Sequence, residues 1–230
     1  VYEAQPDFLK QSINRQRYFW RWDTPEKYQT NMRAYFRMIS GIDHVVGRLV
    51  AQLEEQGLAD NTVIIYTADN GYYLGDRGFA GKWTHYEQSL RVPLIVYDPR
   101  LPEAERGRVL SELALNSDLA STMISLAGLA VPDAHTGRSL VPLLEGRKAL
   151  DREALYWHYP HYGNQGGFPG GAIRMGDWKL LERFEDGRVH LYHLGEDLGE
   201  RHDVAAAHPQ RVRMMRAKLH RWYQEVGAKF

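Results

Sequence analysis

The chain has no cysteine among its 230 residues. This absence excludes disulfide bonds, thiolate zinc sites and a cysteine nucleophile within these residues. It also has no apolar run of the roughly 18 to 20 residues needed to cross a bilayer, and its first residues lack the charged-then-apolar pattern of a signal peptide. The chain begins with Val1 instead of methionine, which is compatible with a processed or truncated protein and leaves the compartment open.

Net charge is absent as well. Lys plus Arg and Asp plus Glu number 29 each. Nothing therefore predicts a surface for nucleic acid or for an anionic membrane, and any recognition of an anion must be local. With 43% hydrophobic and 25% charged residues, the composition is that of an ordinary globular protein with a sizeable core.

A long helix is predicted from Thr24 onward. Thr24 suits the N-cap, Pro25 suits the first helical position, and Gly57 ends the pattern. Apolar residues recur at three-and-four spacing, at Tyr35, Ile39, Ile42, Val46, Leu49, Val50 and Leu53. This spacing predicts a helix face packed on a sheet.

Two β-branched and aromatic runs, 62–67 and 92–97, predict strands, the first of them buried on both faces. Helical spacing returns over 117–129. The order helix, strand, loop, strand, helix predicts an α/β fold over residues 1–150, with a layered sheet and helices on its faces.

The pattern changes over residues 151–230. Short β-type runs are separated by Gly176-Asp177 and Asp186-Gly187, both strong hairpin turns, and an amphipathic helix follows over about 208–226. We predict a small antiparallel sheet packed with a terminal helix.

Adjacent Asp69 and Asn70 follow the first strand in a glycine-punctuated loop. Their carboxylate and amide oxygens are hard donors, which favours Ca²⁺ or Mg²⁺ over zinc. A Ca²⁺ ion takes roughly six to eight oxygens, so further carboxylates must come from elsewhere. The alternative is that Asp69, Asn70 and Gly71 only form a loop turn, since all three tolerate turn geometry.

Lys82 lies between Gly81 and Trp83. A lysine there can act as a point charge on a sulfate or phosphate oxygen, and the alternative is an ordinary solvated lysine. Glu87 and Arg91 are four residues apart and are expected to form a helix ion pair without a functional role.

His158 and His161 flank Pro160, immediately before a glycine-rich loop at 163–171. Imidazoles and aromatics beside such a loop suit the rim of a sugar-binding site. Packing of both histidines within an aromatic strand is an equal alternative. His85 can line the same pocket or lie on a helix surface.

These patterns together resemble a known family. Residues 67–99, reading TADNGYYLGDRGFAGKWTHYEQSLRVPLIVYDP, are similar to the C-terminal half of type I sulfatases, which belong to the alkaline phosphatase superfamily. Weaker similarities follow at Gly176–Leu180 and at Gly199-Glu200. The resemblance implies a partial alkaline-phosphatase-like layered sheet with helices on its faces, followed by the small antiparallel sheet and helix. It also favours a periplasmic or secreted location.

For the site, the resemblance implies that Asp69 and Asn70 ligate a Ca²⁺ ion, with Mg²⁺ as an alternative. It also implies that Lys82 contacts the ester sulfate as a catalytic and substrate-binding residue, and that the region of His158 and His161 approaches the substrate; we expect His85 to bind substrate in the same pocket. The family's nucleophile is a formylglycine made in a Cys/Ser-x-Pro-x-Arg motif, which this chain lacks. We therefore expect the formylglycine and further metal ligands in an N-terminal half outside these 230 residues, and we expect the 230 residues alone to be inactive.

Three functions stay open from the sequence. The first is part of a calcium-dependent sulfuric ester hydrolase acting on a sulfated carbohydrate or an aryl sulfate. The second is a phosphate or phosphonate ester hydrolase of the same superfamily, and the third is a non-catalytic binding module with a sulfatase-like fold. Separation from an N-terminal half predicts exposed apolar surface, and hence a homo-oligomer or packing against that missing half.

Overall fold

The computed structural model describes residues 1–147, 150–163 and 165–230. Asn164, which belongs to the predicted glycine-rich loop, lies outside the described residues. The helices are α1 (Asp7–Lys10), α2 (Ile13–Arg21), α3 (Pro25–Glu55), α4 (Glu87–Leu90), α5 (Ser117–Leu126), α6 (Val141–Leu144) and α7 (Pro209–Glu225). The strands are β1 (Ile64–Thr67), β2 (Leu94–Tyr97), β3 (Leu155–Tyr159), β4 (Gly170–Met175), β5 (Trp178–Arg183) and β6 (Val189–His193).

The chain forms two compact units. Unit 1 comprises 1–49, 70–93 and 155–230, and unit 2 comprises 50–69 and 94–154. This division cuts across the predicted segments 1–150 and 151–230, which stay a prediction about family domains. The predicted α/β class is confirmed, since the described elements are helices together with antiparallel sheets.

The N-terminus of α3 is formed as predicted. The backbone N–H of Lys27 donates a hydrogen bond of 3.3 Å to Thr24 Oγ1, so the threonine caps the helix. The prediction that its apolar face packs on a sheet is wrong within this chain, because none of the α3 residues is buried and Leu49 is 54% exposed. Helical periodicity establishes an apolar face but does not determine what covers it.

Unit 2 contains a two-stranded antiparallel sheet in which Thr67 of β1 pairs with Leu94 of β2. The prediction that the first strand is buried on both faces is wrong. Every β1 residue is only partly buried, and alternate β2 side chains are exposed, with Ile95 at 60%. A two-stranded sheet gives each strand one neighbour, so a continuous apolar run here does not mark a central strand.

Unit 1 contains a four-stranded antiparallel sheet in the order β3-β4-β5-β6. Met175 pairs with Trp178 around the two-residue turn, which confirms the predicted hairpin. Helix α7 contacts β4 and β5 and buries Met215 and Leu219 completely. The predicted small antiparallel sheet packed with a terminal helix is therefore confirmed.

The main apolar cluster of unit 1 joins the 70–93 loop to this sheet. Its buried members are Leu9, Tyr73, Phe79, Tyr86, Phe168, Ala172, Leu181, Tyr192 and Leu194. Because the cluster draws on both the loop and the strands, it fixes the loop that contains Lys82 over the sheet. Among the described residues, no helix combines the length and the apolarity that a membrane crossing requires.

Candidate functional site

Asn14 holds the backbone around Lys82. Its side-chain N–H donates to the carbonyl of Lys82 at 2.9 Å, and its Oδ1 accepts from the backbone N–H of Ala80 at 3.0 Å. A Cβ on Gly81 would lie 2.8 Å from this Asn14 oxygen, so the glycine permits the close approach. Asn14, on α2, is completely buried. No motif marked it in the sequence.

The Lys82 ammonium donates a hydrogen bond to Oδ1 of Asn70. Asn70 in turn donates from its amide to the Gly71 carbonyl at 2.7 Å, which fixes the orientation of the amide group. Trp83, which follows Lys82 in the chain, has a backbone φ of 85°. This value is strained for a bulky side chain, and such strain is found mostly at functional sites. The structure thus brings together the Asn70 and Lys82 side chains that the sequence resemblance grouped.

A cavity of about 310 Å³ lies beside this pair. Its lining residues all belong to unit 1 and are Asn70, Lys82, Trp83, Thr84, His85, Ser89, Leu90, Trp157, His158 and Tyr159. Of the three histidines predicted to approach a substrate, His85 and His158 line the cavity. His161 is exposed, packs edge-on against Tyr159 and does not belong to the lining.

His85 is buried and electrically neutral. It is 3% exposed, and its ring packs beside Gly170 and Phe168. Burial is the largest of the causes that together lower the pKa of His85 to about 3; the positive charge of Lys179 and the ring of His158 add to it, and a hydrogen bond with the Gly170 backbone opposes it. The alternative of a histidine on a helix surface is excluded by this burial.

His158 contacts residues near the C-terminus of the chain. Its Nε2 lies 2.8 Å from the carbonyl oxygen of Lys229, and its ring packs on Phe184 and Tyr223. Its Nδ1 is buried without a partner within the described ranges. For His158 the aromatic-packing alternative is therefore observed, and because the ring also lines the cavity, its approach to a substrate stays a prediction.

A buried network of ion pairs connects Glu87, which follows the loop that contains Lys82, to Lys179 and Glu200. Lys179 Nζ contacts Glu87 at 2.7 Å and Glu200 at 2.9 Å. Arg174 lies 3.5 Å from Glu87, and Arg77 donates to the backbone carbonyl of Glu200. Burial raises the pKa of Glu200, although the Lys179 charge opposes that rise.

The expectation for Glu87 is corrected by this network. Glu87 pairs across the fold with Lys179 instead of forming a solvent-exposed helix pair with Arg91. Helix α4 has only four residues, and Arg91 follows it in an extended conformation, so the four-residue spacing does not place the two side chains on one helical face. Lys179 and Glu200 fall in the later stretches of sequence similarity, but the sequence alone assigned them no role.

Asp69 and Asn70 are the candidate metal ligands. Asp69 is exposed and Asn70 is half-buried. The amide oxygen of Asn70 accepts from Lys82 and keeps a second lone pair, so this residue fits a hard cation. In the described part of the chain, no group of three or more His, Asp or Glu could hold a metal ion. The role of Asp69 and Asn70 as metal ligands stays a prediction.

The ammonium of Lys82 and the amide oxygen of Asn70 lie beside a cavity, on a loop packed against an antiparallel sheet, and a positive charge there fits an anionic group. Residues 1–129 match the family model described as Sulfatase. Residues 75–228 match the model described as N-sulphoglucosamine sulphohydrolase, C-terminal. The chain belongs to the sulfatase family.

Similar proteins include sulfatases and a phosphonate hydrolase. The chain is 38% identical over 164 residues to the N-acetylglucosamine-6-O-sulfatase of Bacteroides thetaiotaomicron, a match that covers 70% of this chain and 29% of that protein. A structure solved in complex with its substrate, D-glucosamine-2-N,6-O-disulfate, matches with a TM-score of 0.78 at 33% identity, covering 86% of this chain and 41% of the other. The phosphonate monoester hydrolase of Agrobacterium radiobacter matches with a TM-score of 0.75 at 28% identity, covering 88% and 43%. The chain spans less than half the length of each of these proteins.

Proposed function

We propose that this chain is the part of a sulfuric ester hydrolase that supplies its sulfate-binding lysine, Lys82, and two of its metal ligands, Asp69 and Asn70. The observation that carries the proposal is the contact between the Lys82 ammonium and the Asn70 amide oxygen beside the cavity. An ammonium fixed there can neutralise a nonbridging sulfate oxygen and stabilise the charge that develops as the ester bond breaks.

A divalent cation belongs to the proposal. Asp69 and Asn70 would hold Ca²⁺, or Mg²⁺, through their side-chain oxygens. When bound, the cation would supply positive charge that neutralises the oxyanion. The amide of Asn70, oriented by its bond to Gly71, would share its oxygen between the cation and Lys82.

The nucleophile is proposed to come from residues outside this chain. The 230 residues contain neither a cysteine nor a Ser-x-Pro-x-Arg sequence, so they offer no precursor of the family's formylglycine. The role of this chain is then to bind the sulfate and to enclose the organic part of the substrate. We expect the 230 residues alone to release no product from a sulfate ester.

The proposed substrate is a sulfated carbohydrate, with aryl sulfate as an alternative. Trp83 and Trp157 line the cavity and offer flat apolar surfaces on which a sugar ring or an aryl ring can lie. The sulfated glucosamine compounds named for two of the relatives support the carbohydrate choice.

The test is hydrolysis of nitrophenyl sulfate and N-acetylglucosamine 6-sulfate by the natural-length protein that contains this chain. We expect Lys82→Ala to lower kcat/KM by about 10²- to 10³-fold, the range for loss of a charge-stabilising donor. The matched control is Lys10→Ala, which removes a lysine whose ion pairs lie near the surface and which we expect to change kcat/KM by less than about twofold. Equal effects of the two substitutions would overturn the proposal.

A second candidate is the hydrolysis of phosphonate or phosphate esters. The similarity to the phosphonate monoester hydrolase favours it, and the same cation and lysine would serve that chemistry. Parallel assays with nitrophenyl sulfate and nitrophenyl phosphate separate the two, because a strong phosphate preference would exclude the first. The absence of turnover on both esters by the natural-length protein would leave a non-catalytic binding module.

A further inference from the structure

Asn14 of α2 is a completely buried polar residue whose amide bridges one short backbone segment, residues 80–82. Its Nδ2 donates to the carbonyl of Lys82 at 2.9 Å, and its Oδ1 accepts from the backbone N–H of Ala80 at 3.0 Å. The oxygen and the nitrogen of one amide thus satisfy two backbone groups on either side of a glycine. The bridge ties the backbone of the proposed sulfate-binding lysine to a helix that lies far away in the sequence.

Asn14 is itself held from two sides by glycines. A Cβ on Gly81 would lie 2.8 Å from Oδ1 of Asn14, and a Cβ on Gly166 would lie 2.8 Å from its Cβ. Approaches this close are open only to residues without a side chain. The amide therefore fits between the segment 80–82 and the glycine-rich loop with little room to move, and a side chain so confined can fix the backbone that it bonds.

The fixed backbone determines where the Lys82 ammonium lies. The neighbouring Gly81 carbonyl accepts from the backbone N–H of Tyr73 at 2.6 Å, so the loop holds the segment as well as α2 does. From this backbone the Lys82 side chain reaches Oδ1 of Asn70. Because a lysine has a flexible four-carbon stem, its ammonium keeps one location only where its backbone and its partner are both fixed.

We propose that Asn14 is a positioning residue of the ester hydrolase: it holds the backbone at 80–82 so that the Lys82 ammonium stays at Asn70, beside the cavity. The inference rests on the proposed function, in which Lys82 binds the sulfate. Asn14 lies outside the set of described residues that line the cavity, so its effect is transmitted through Lys82. Stabilisation of a developing charge depends on where the cation lies, and a shift of about 1 Å can cost about 10²-fold in rate.

The experiment is a double-mutant cycle of Asn14→Leu with Lys82→Ala in the natural-length protein, with nitrophenyl sulfate as the substrate. Leucine keeps the branched shape of asparagine and makes neither hydrogen bond. We expect Asn14→Leu alone to lower kcat/KM by about 10- to 100-fold. In the Lys82→Ala background we expect it to lower kcat/KM by less than about twofold, because the ammonium that it positions is already gone.

The cycle separates positioning from folding. A merely structural role of Asn14 would lower kcat/KM by the same factor in both backgrounds, and that result would overturn the proposal. The matched control is Asn31→Leu, since Asn31 of α3 likewise donates to two backbone carbonyls, those of Arg21 at 3.1 Å and Lys27 at 2.9 Å. We expect Asn31→Leu to change kcat/KM by less than about twofold, and losses equal to those of Asn14→Leu would also overturn the proposal.

A second variant serves if Asn14→Leu does not fold. Asn14→Asp keeps the shape of the side chain and the acceptor for Ala80 but loses the donor to the Lys82 carbonyl. We expect it to lower kcat/KM by about tenfold, and by less than about twofold once Lys82 is alanine. A wild-type kcat/KM in Asn14→Asp, or the same loss in both backgrounds, would overturn the proposal.

The two proposals fail in different ways. If Lys82→Ala lowers kcat/KM and Asn14→Leu does not, the inference fails and the proposed function stands. If Lys82→Ala has no effect, or no ester is turned over, the proposed function fails, and the acetylation rate of Lys82 by acetic anhydride, measured by mass spectrometry against exposed Lys229, decides the inference. A rate about tenfold higher in Asn14→Leu supports it, because a released loop exposes its lysine, and an unchanged rate overturns it.

Discussion

Lys179 of β5 and Glu200, in the turn before α7, form an ion pair of 2.9 Å in which neither side chain is exposed to solvent. The second carboxylate oxygen of Glu200 accepts from the backbone N–H of Glu87 at 2.7 Å. Lys179 also contacts the side chain of Glu87. The pair therefore fastens α4, which closely follows the Lys82 loop, to the C-terminal sheet.

Replacement of Lys179 tests this fastening. Lys179→Met keeps most of the side-chain volume but leaves two buried carboxylates without their shared cation, so we expect the free energy of unfolding to fall by about 3 to 5 kcal/mol. Urea denaturation measures the change. The control is Lys27→Met, which removes a partly exposed pair with Asp23 and should cost less than about 1 kcal/mol. Similar losses in the two variants would show that the buried network does not hold the loop.

The neutral state of His85 predicts a pH dependence of stability. Its pKa in the folded chain is lowered to about 3, whereas in the unfolded chain it has its ordinary value near 6.5. Stability is therefore fully present above about pH 6.5 and is lost as the pH falls toward 3, because the unfolded chain takes up a proton that the folded chain excludes. Burial is the main cause of the lowered pKa of His85, and the positive charge of Lys179 and the ring of His158 contribute to it as well.

His85→Gln removes this contribution. Between pH 7 and pH 5 the wild type is expected to lose about 2 kcal/mol more unfolding free energy than the variant, since one proton is bound differentially. Urea unfolding at the two pH values measures the difference. His44→Gln, at an exposed position on α3, controls for the loss of a histidine as such. Equal pH dependence in wild type and His85→Gln would contradict a buried neutral imidazole.

Local signals were sufficient for several elements. The Thr24 cap, the Gly176-Asp177 turn and the apolar face of α7 were predicted because each depends on residues near one another in the chain. The partners of Glu87 and the role of Asn14 were not predictable, because both depend on residues more than 60 positions away. The apolar patterns of α3 and β1 likewise predicted apolar surfaces but did not indicate which other elements pack against them.

For the site, the resemblance grouped Lys82 with Asn70, and the structure brings the two side chains into contact. It could not separate His85 and His158 from His161, because aromatic composition around a loop does not determine which rings point toward a cavity. His85 packs against Phe168, just before β4, and against Gly170, the first residue of β4. Both residues lie far from His85 in the chain. Tertiary packing therefore decides which of the predicted histidines line the cavity.

Gly171 of β4 predicts a packing limit. A Cβ at this position would overlap the hydroxyl of Tyr223, a buried residue of α7. Gly171→Ala should therefore cost about 1 to 3 kcal/mol of unfolding free energy, as overpacking does. Adding Tyr223→Phe removes the overlapping hydroxyl and should recover part of the loss in a double-mutant cycle. Gly47→Ala in α3, where nothing lies near the added Cβ, is expected to be neutral or slightly stabilising.

The exposed apolar face of α3 predicts self-association of the 230-residue chain. Ile39, Ile42 and Leu49 are each more than two-fifths exposed and follow one another on one side of the helix, so pairing of two copies would remove them from water. Light scattering during gel filtration should give a mass above that of one chain, and Ile42→Glu should shift the mass toward the monomer because a charge on the face opposes its burial. Ala51→Glu places the same charge on the opposite side of α3 and should leave the mass unchanged. A wild-type monomer with a cooperative, high-temperature unfolding transition would contradict the prediction, since it would show that this face is tolerated in water.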